Sequence, residues 1–200
     1  MGKLEQKQKE KRKKIVNAAT KLFAFNGYSD TTISKIAKEA GISFGSVFTY
    51  FETKELLFET IILEPLQNMK KQLYNLPEGP ITATKLKEMT SNHVDIFIKQ
   101  RIYLQLIQQV IGQPEKFPKL FKQIDILYED WVQKLAQFIK QCQEEQLLLP
   151  GEPEGVSRGY ISFLIGMRLT LAESATPQVW NYFYKMANRV LGLQETHNEI

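Results

Sequence analysis

Apolar residues recur at helical spacing along most of the chain, and no stretch sustains the two-residue alternation of a strand. Ile15, Ala18, Ala19, Leu22 and Phe23 stand at i, i+3, i+4, i+7 and i+8, which predicts a helix over about residues 9–26 stopped by Gly27. Ile33, Ile36, Ala37 and Ala40 repeat the pattern over a shorter stretch, capped by Asp30 or Thr31 and ended by Gly41. A third short helix is expected over residues 43–50. A fourth opens with Thr53 as N-cap and Glu55 in its first turn, where a negative charge suits the positive end of the helix dipole. It is expected to run towards Tyr74 with a kink near Glu64, because Pro65 withholds one hydrogen bond and crowds the carbonyl of Ile61. Further helices are expected at roughly 81–98, 101–112, 115–147, 154–174 and 177–191, the last opened by the Thr176-Pro177 pair. The pattern predicts an all-α fold.

Composition narrows the picture. Two hundred residues, 43% hydrophobic and 24% charged, can bury a core without disulfides or metals. The longest apolar run, residues 160–167, is too short to cross a bilayer, and the basic N-terminus is not followed by the apolar segment of a secretory signal. A single cysteine, Cys142, leaves no internal disulfide and is expected as a small buried hydrophobe; a cytoplasmic protein is the expectation.

Charge is unevenly placed. Residues 1–60 hold eleven Lys or Arg against seven Asp or Glu, whereas residues 61–200 hold fifteen of each, so the net +4 is entirely N-terminal. Residues 3–14 alone carry +5, which predicts a flexible basic arm over residues 1–14 suited to polyanions such as nucleic acid, or to an anionic membrane surface. A Gly-rich phosphate loop, a GxSxG elbow and an HExxH pair are absent from the sequence. Its two histidines, His93 and His197, are too few and too far apart to predict a metal site. No enzyme activity, cofactor or metal is expected.

Two short amphipathic helices joined at Gly41, with small Ala37 allowing close approach, are what a helix-turn-helix over about residues 31–50 requires. In this scheme Ile33, Ile36, Ala37, Val47 and Phe51 are core. The stretch from Ile15 to Ile62, IVNAATKLFAFNGYSDTTISKIAKEAGISFGSVFTYFETKELLFETII, resembles the DNA-binding domain of TetR-type bacterial transcriptional regulators. The resemblance rests on the Ala-x-x-Leu-Phe face closing on Asn26-Gly27-Tyr28, Thr31-Thr32, Ile36-Ala37, Ala40-Gly41-Ile42-Ser43, Gly45-Ser46, Tyr50-Phe51 and Thr53-Lys54-Glu55-x-Leu57.

The resemblance implies a DNA-binding domain over residues 9–62 and an effector-binding and dimerisation domain over residues 63–200. It implies that Thr31, Thr32 and Lys54 hold phosphates, and that Ser43, Phe44, Gly45, Ser46, Thr49 and Tyr50 line a recognition helix in the major groove. Two positions depart from the family pattern: Phe44 stands where a lysine is frequent and Phe48 where a phosphate-binding tyrosine is usual. Phe44 can pack on a thymine methyl, and Phe48 is expected in the core. The resemblance also implies a homodimer that reads double-stranded DNA at a palindromic operator, and a repressor released by a small hydrophobic effector.

In the family the effector cavity lies among the C-terminal helices, where the expected lining residues are His93, Phe97, Tyr103, Leu104, Ile107, Phe121, Ile124, Tyr128, Trp131, Phe163 and Met167. Arg101, Arg168 and Glu173 are further polar candidates. Gly155, Gly159, Ser162 and Gly166 recur at i, i+4, i+7 and i+11 and form a smooth helix face suited to a dimer interface. In the family the fourth helix links the two parts, which makes Pro65 a candidate hinge. The alternative reading is a non-catalytic polyanion- or membrane-surface-binding protein with a hydrophobic ligand pocket.

Overall fold

The computed structural model describes residues 2–170 and 176–194; among them the chain is helical, with one isolated antiparallel bridge between Leu148 and Leu193. The helices in chain order are α1 (Lys3–Asp30), α2 (Ile33–Ala40), α3 (Phe44–Phe48), α4 (Lys54–Leu73), α5 (Ala83–Lys99), α6 (Arg101–Ile111), α7 (Pro118–Glu144), α8 (Pro153–Thr170) and α9 (Pro177–Leu191). Thr53 caps α4 by accepting the amide of Leu56, and Thr176 caps α9 at the amide of Val179 with Pro177 following. Residues 171–174 of the expected eighth helix lie outside the described residues, as do Glu173 and His197.

Three expectations need correction. The segment expected as a flexible basic arm is helical from Lys3, because its Lys, Gln, Glu and Arg residues are good helix formers and Glu5 pairs with Lys9 one turn on at 3.7 Å. As expected, the regular helix is interrupted at Gly27, at φ 79° and ψ 165°, and a short turn follows to Asp30. The cap of α2 is neither Asp30 nor Thr31 but Thr32, whose hydroxyl accepts the amide of Lys35 at 3.2 Å. Helix α3 is only five residues long, and Thr49 and Tyr50 lie just beyond it. Helix α4 runs through Pro65 to Leu73, close to the end expected for it.

The chain divides into two compact units. The first comprises Met1–Asn68 and Ile102–Phe121. Ile15, Ala18, Ala19 and Phe23 of α1 are buried, as are Ile36, Ala37 and Ala40 of α2, Val47 of α3, Phe51, and Leu57, Phe58, Ile61 and Ile62 of α4; Ile33, expected in this core, is half-buried. Each of the larger of these side chains contributes about 1.5–3 kcal/mol by leaving water. Residues 102–121 close this unit, with the Tyr103 hydroxyl donating to the Ile62 carbonyl at 2.6 Å and the Gln109 amide to the Phe23 carbonyl at 2.8 Å. Sequence reading puts the whole of 63–200 in one C-terminal domain, so the unit boundary differs from the boundary expected at residue 62.

The second unit comprises Met69–Arg101 and Lys122–Ile200. Helices α5, α8 and α9 pack on one another, and α7 joins them through the Ser157 hydroxyl, which donates to the Val132 carbonyl at 2.9 Å. The Arg158 guanidinium spans both Glu129 carboxylate oxygens, at 2.9 and 2.7 Å. His93 is buried beside Tyr160, its Nδ1 lying 3.2 Å from the phenol oxygen, and burial lowers its pKa to about 4. Cys142 is buried, and its thiol pKa is pushed up to about 11 by the same cause.

An added Cβ at Gly27 would meet nothing within 4 Å, so Gly27→Ala costs only backbone strain; urea unfolding of the full chain is expected to show a loss of about 1–3 kcal/mol. For His93, the unfolded imidazole takes up its proton near pH 6.5 while the folded one resists until about pH 4. Stability is therefore fully present above pH 6.5 and falls as the pH drops towards 4, by about 3 kcal/mol if His93 acts alone. Unfolding measured across that window should flatten in His93→Leu.

Candidate nucleic-acid interface

The turn between α2 and α3 is built by Gly41 in the left-handed region at φ 66°, whose amide reaches the Lys38 carbonyl, while the Ile42 amide returns to the Ala37 carbonyl. This places Ser43 in extended backbone as the N-cap of α3. Its hydroxyl meets that of Ser46 at 2.6 Å. Val47 and Phe51 point inward, so the rest of α3 is left on the outside. Ser43, Phe44, Gly45 and Thr49 are exposed, and Ser46 and Tyr50 are half-buried. A Cβ at Gly45 would touch nothing within 4 Å, so packing inside the chain gives no reason for a glycine that costs this helix about 1 kcal/mol in propensity.

Phe48 corrects the expectation of a core position. It is 41% exposed, and Phe44, four residues earlier on the same face, is 55% exposed; their rings meet edge to face with centroids 5.2 Å apart. The reason is register: with Val47 and Phe51 taking the two inward positions, the residue between them must face out.

Thr31 and Lys54 also depart from expectation. Thr31 is fully buried and its hydroxyl bonds to the carbonyls of Leu22 and Gly27, at 3.0 and 2.8 Å, so it secures the end of α1 and presents no hydroxyl to solvent. The Lys54 ammonium donates to the carbonyls of Tyr28 and Thr31, both at 2.8 Å, and lies 4.2 Å above the centre of the Tyr28 ring. Thr32 remains exposed at the start of α2. In the N-terminal half of α1, Lys7, Lys9, Lys11, Lys13 and Lys14 are exposed, whereas Arg12 is turned to Glu64 at 2.5 Å and to the Phe51 ring at 5.4 Å.

Sequence reading missed Tyr28 as an organising residue. Its ring meets Phe23, Phe58 and Phe117, and its hydroxyl donates to Glu55 at 2.6 Å, which holds the Glu55 carboxyl below its usual range; burial, and then this bond, raises the phenol above its own. The signal lay in an aromatic immediately after a helix-breaking glycine.

The expected effector-lining residues are distributed over both units. Tyr103, Leu104, Ile107 and Phe121 belong to the first unit, and His93, Phe97, Ile124, Tyr128, Trp131, Phe163 and Met167 to the second. A cavity of about 330 Å³ in the second unit is bordered by His93, by polar side chains such as Gln72, Asn75, Asn92 and Asp95, and by Met89 and Ile96. Phe97 and Trp131 stack at 6.1 Å in its core. Gly155, Gly159 and Ser162 are exposed on α8, and Gly166 is half-buried.

Comparison with known proteins places these features. The family model described as "Bacterial regulatory proteins, tetR family" matches residues 15–61. The chain is 33% identical over 92 residues to the fatty acid metabolism regulator protein of Bacillus subtilis, covering 44% of this chain and 47% of that protein. The chain thus spans about half or less of the curated relatives it matches first, two further Bacillus subtilis regulators being covered over 41% and 33% of their lengths. Among solved structures, the regulator PfmR from Thermus thermophilus is 18% identical with a TM-score of 0.75, over 91% of this chain and 99% of that one. AibR, solved with isovaleryl coenzyme A and operator DNA, is 13% identical with a TM-score of 0.74, over 92% of this chain and 100% of that one. These two likenesses show the fold.

The geometry of Lys54 yields a test. Lys54→Met removes both carbonyl contacts and is expected to cost about 1–2 kcal/mol in thermal unfolding of the full chain. The salt slope of duplex binding should stay within about half a unit of the unaltered chain; a fall of about one unit would mark a phosphate contact instead.

Proposed function

We propose that the chain, whose residues 15–61 match the tetR family of bacterial regulatory proteins, is a sequence-specific DNA-binding transcriptional regulator that reads a palindromic operator as a homodimer. The observation that carries this reading is the outward face of α3, where an exposed row follows a glycine turn and Gly45 leaves room for another backbone. The proposed contacts are Thr32, Ser43, Phe44, Gly45, Ser46, Thr49 and Tyr50. Thr31 and Lys54 act behind them as supports. The exposed lysines of α1 add sequence-independent attraction.

The dimer is proposed through α8 and α9. Gly159 has open space around its Cβ position within the chain, and Tyr182 of α9 is 61% exposed, so this face gains most from a second copy. The sign of regulation, repression relieved by a small hydrophobic effector, is carried over from the family. A coenzyme A thioester stands with operator DNA in the AibR structure, and the effector proposed here fills the second unit near Phe97, Trp131 and Met167. Arg168 is the favoured polar anchor, because it is 7% exposed and its Nε and Nη1 find no hydrogen-bond partner among the described residues. Such a regulator acts in the cytoplasm. No described helix is long and apolar enough to cross a membrane, and the comparisons lend no support to a membrane-surface adaptor.

Selection of random duplex DNA on the purified chain, followed by a salt titration of the enriched sequence, tests the proposal. An inverted repeat with half-sites about one helical turn apart is expected, bound with a steep salt dependence and weakened about 5- to 100-fold by Thr49→Ala or Tyr50→Ala. Failure to enrich any motif would overturn it.

A further inference from the structure

The stretch GISFGSVFTYF, residues 41–51, contains no Arg, Lys, Asn, Gln, Asp or Glu. The usual two-pronged contacts of Arg or Lys with guanine and of Asn or Gln with adenine are therefore unavailable from α3. Ser43 and Ser46 are engaged with each other. What α3 does present is apolar: Phe44 and Phe48, 55% and 41% exposed, locked edge to face with centroids 5.2 Å apart. Two exposed phenyls on a five-residue helix are costly in water and give nothing to the core, which Val47 and Phe51 already supply. The major groove offers one apolar group, the 5-methyl of thymine, and a phenyl edge is a fitting partner for it.

We propose that Phe44 and Phe48 form a paired apolar reader that selects thymine in each operator half-site through its 5-methyl group. This rests on the proposed DNA-binding function and assigns its specificity: recognition depends on methyl contact rather than on paired hydrogen bonds to guanine or adenine. Phe48 joins Phe44 as a specificity-determining residue. Gly45, between them, lets the pair approach the base edges, since nothing in the chain occupies the space a side chain would take.

The experiment replaces each thymine of the selected duplex in turn by deoxyuridine, which removes the methyl and keeps every hydrogen-bonding group. Affinities are measured for the full chain, Phe44→Ala, Phe48→Ala and Phe48→Leu. One or two thymines per half-site are expected to lose about fourfold each on demethylation, the loss being confined to those positions. Each alanine variant should erase the penalty at its own thymine while leaving the salt slope and the unfolding midpoint unchanged, and Phe48→Leu should retain part of the penalty. A duplex in which every thymine is replaced and binding changes less than about 1.5-fold would overturn the proposal. So would penalties that persist undiminished in both alanine variants. If no duplex is enriched at all, the DNA-binding function falls and this inference with it. If a motif is enriched but indifferent to the methyl, only this inference falls.

Discussion

The first unit depends on the coupling between the Lys54 ammonium and the end of α1. That helix has no basic residue in its last turn, so the carbonyls left at its end need a donor from elsewhere. Lys54 supplies it to Tyr28 and Thr31 from the first position of α4. The same ammonium rests on the Tyr28 ring, whose hydroxyl reaches Glu55, the next residue along. Lys116 also lies 5.3 Å over that ring, and Phe117 meets it edge to face. Three segments distant in sequence thus converge on one tyrosine. The start of α2 is fixed as a consequence, because Thr31, just before it, is buried and bonded back to α1.

This explains which parts of the site were legible in the sequence. The helices, the glycine turn at Gly41 and the buried set of Ile36, Ala37, Val47 and Phe51 follow from local spacing, and the structure places them as expected. Phe48 was not legible, because a phenyl in a short helix reads as core until the two inward positions are known to be filled. For Thr31 and Lys54 the partner is not legible from sequence for a related reason. Both are polar residues at helix starts, where phosphate binding and end-capping draw on the same groups, and only tertiary placement tells which partner wins. The assignment of residues 102–121 to the first unit was likewise out of reach, since it depends on Tyr103 and Gln109 finding carbonyls tens of residues away.

In the second unit the polar groups taken out of water divide into two kinds. Ser157 and Thr90 bond to the Val132 carbonyl and to Asn188, and His93 shares its Nδ1 with Tyr160, so these specify packing. Trp131 Nε1 and two nitrogens of Arg168 have no hydrogen-bond partner among the described residues. Leaving such a group unmet costs about 1–3 kcal/mol. The effector proposed above would supply partners for these groups.

In the proposed regulator, charge and recognition are carried by different segments. The exposed lysines of α1 sit on a helix rather than a loose tail, so residues 3–14 span about 17 Å at a rise near 1.5 Å per residue, with their spacing fixed. Such a row attracts phosphate irrespective of sequence and loses its reach as salt shortens the screening length to about 8–10 Å. Helix α3 carries no charge, and apolar contact is nearly indifferent to salt. The two contributions to duplex binding should therefore separate: raising salt weakens operator and random duplex together through α1, while the preference of α3 for one over the other persists.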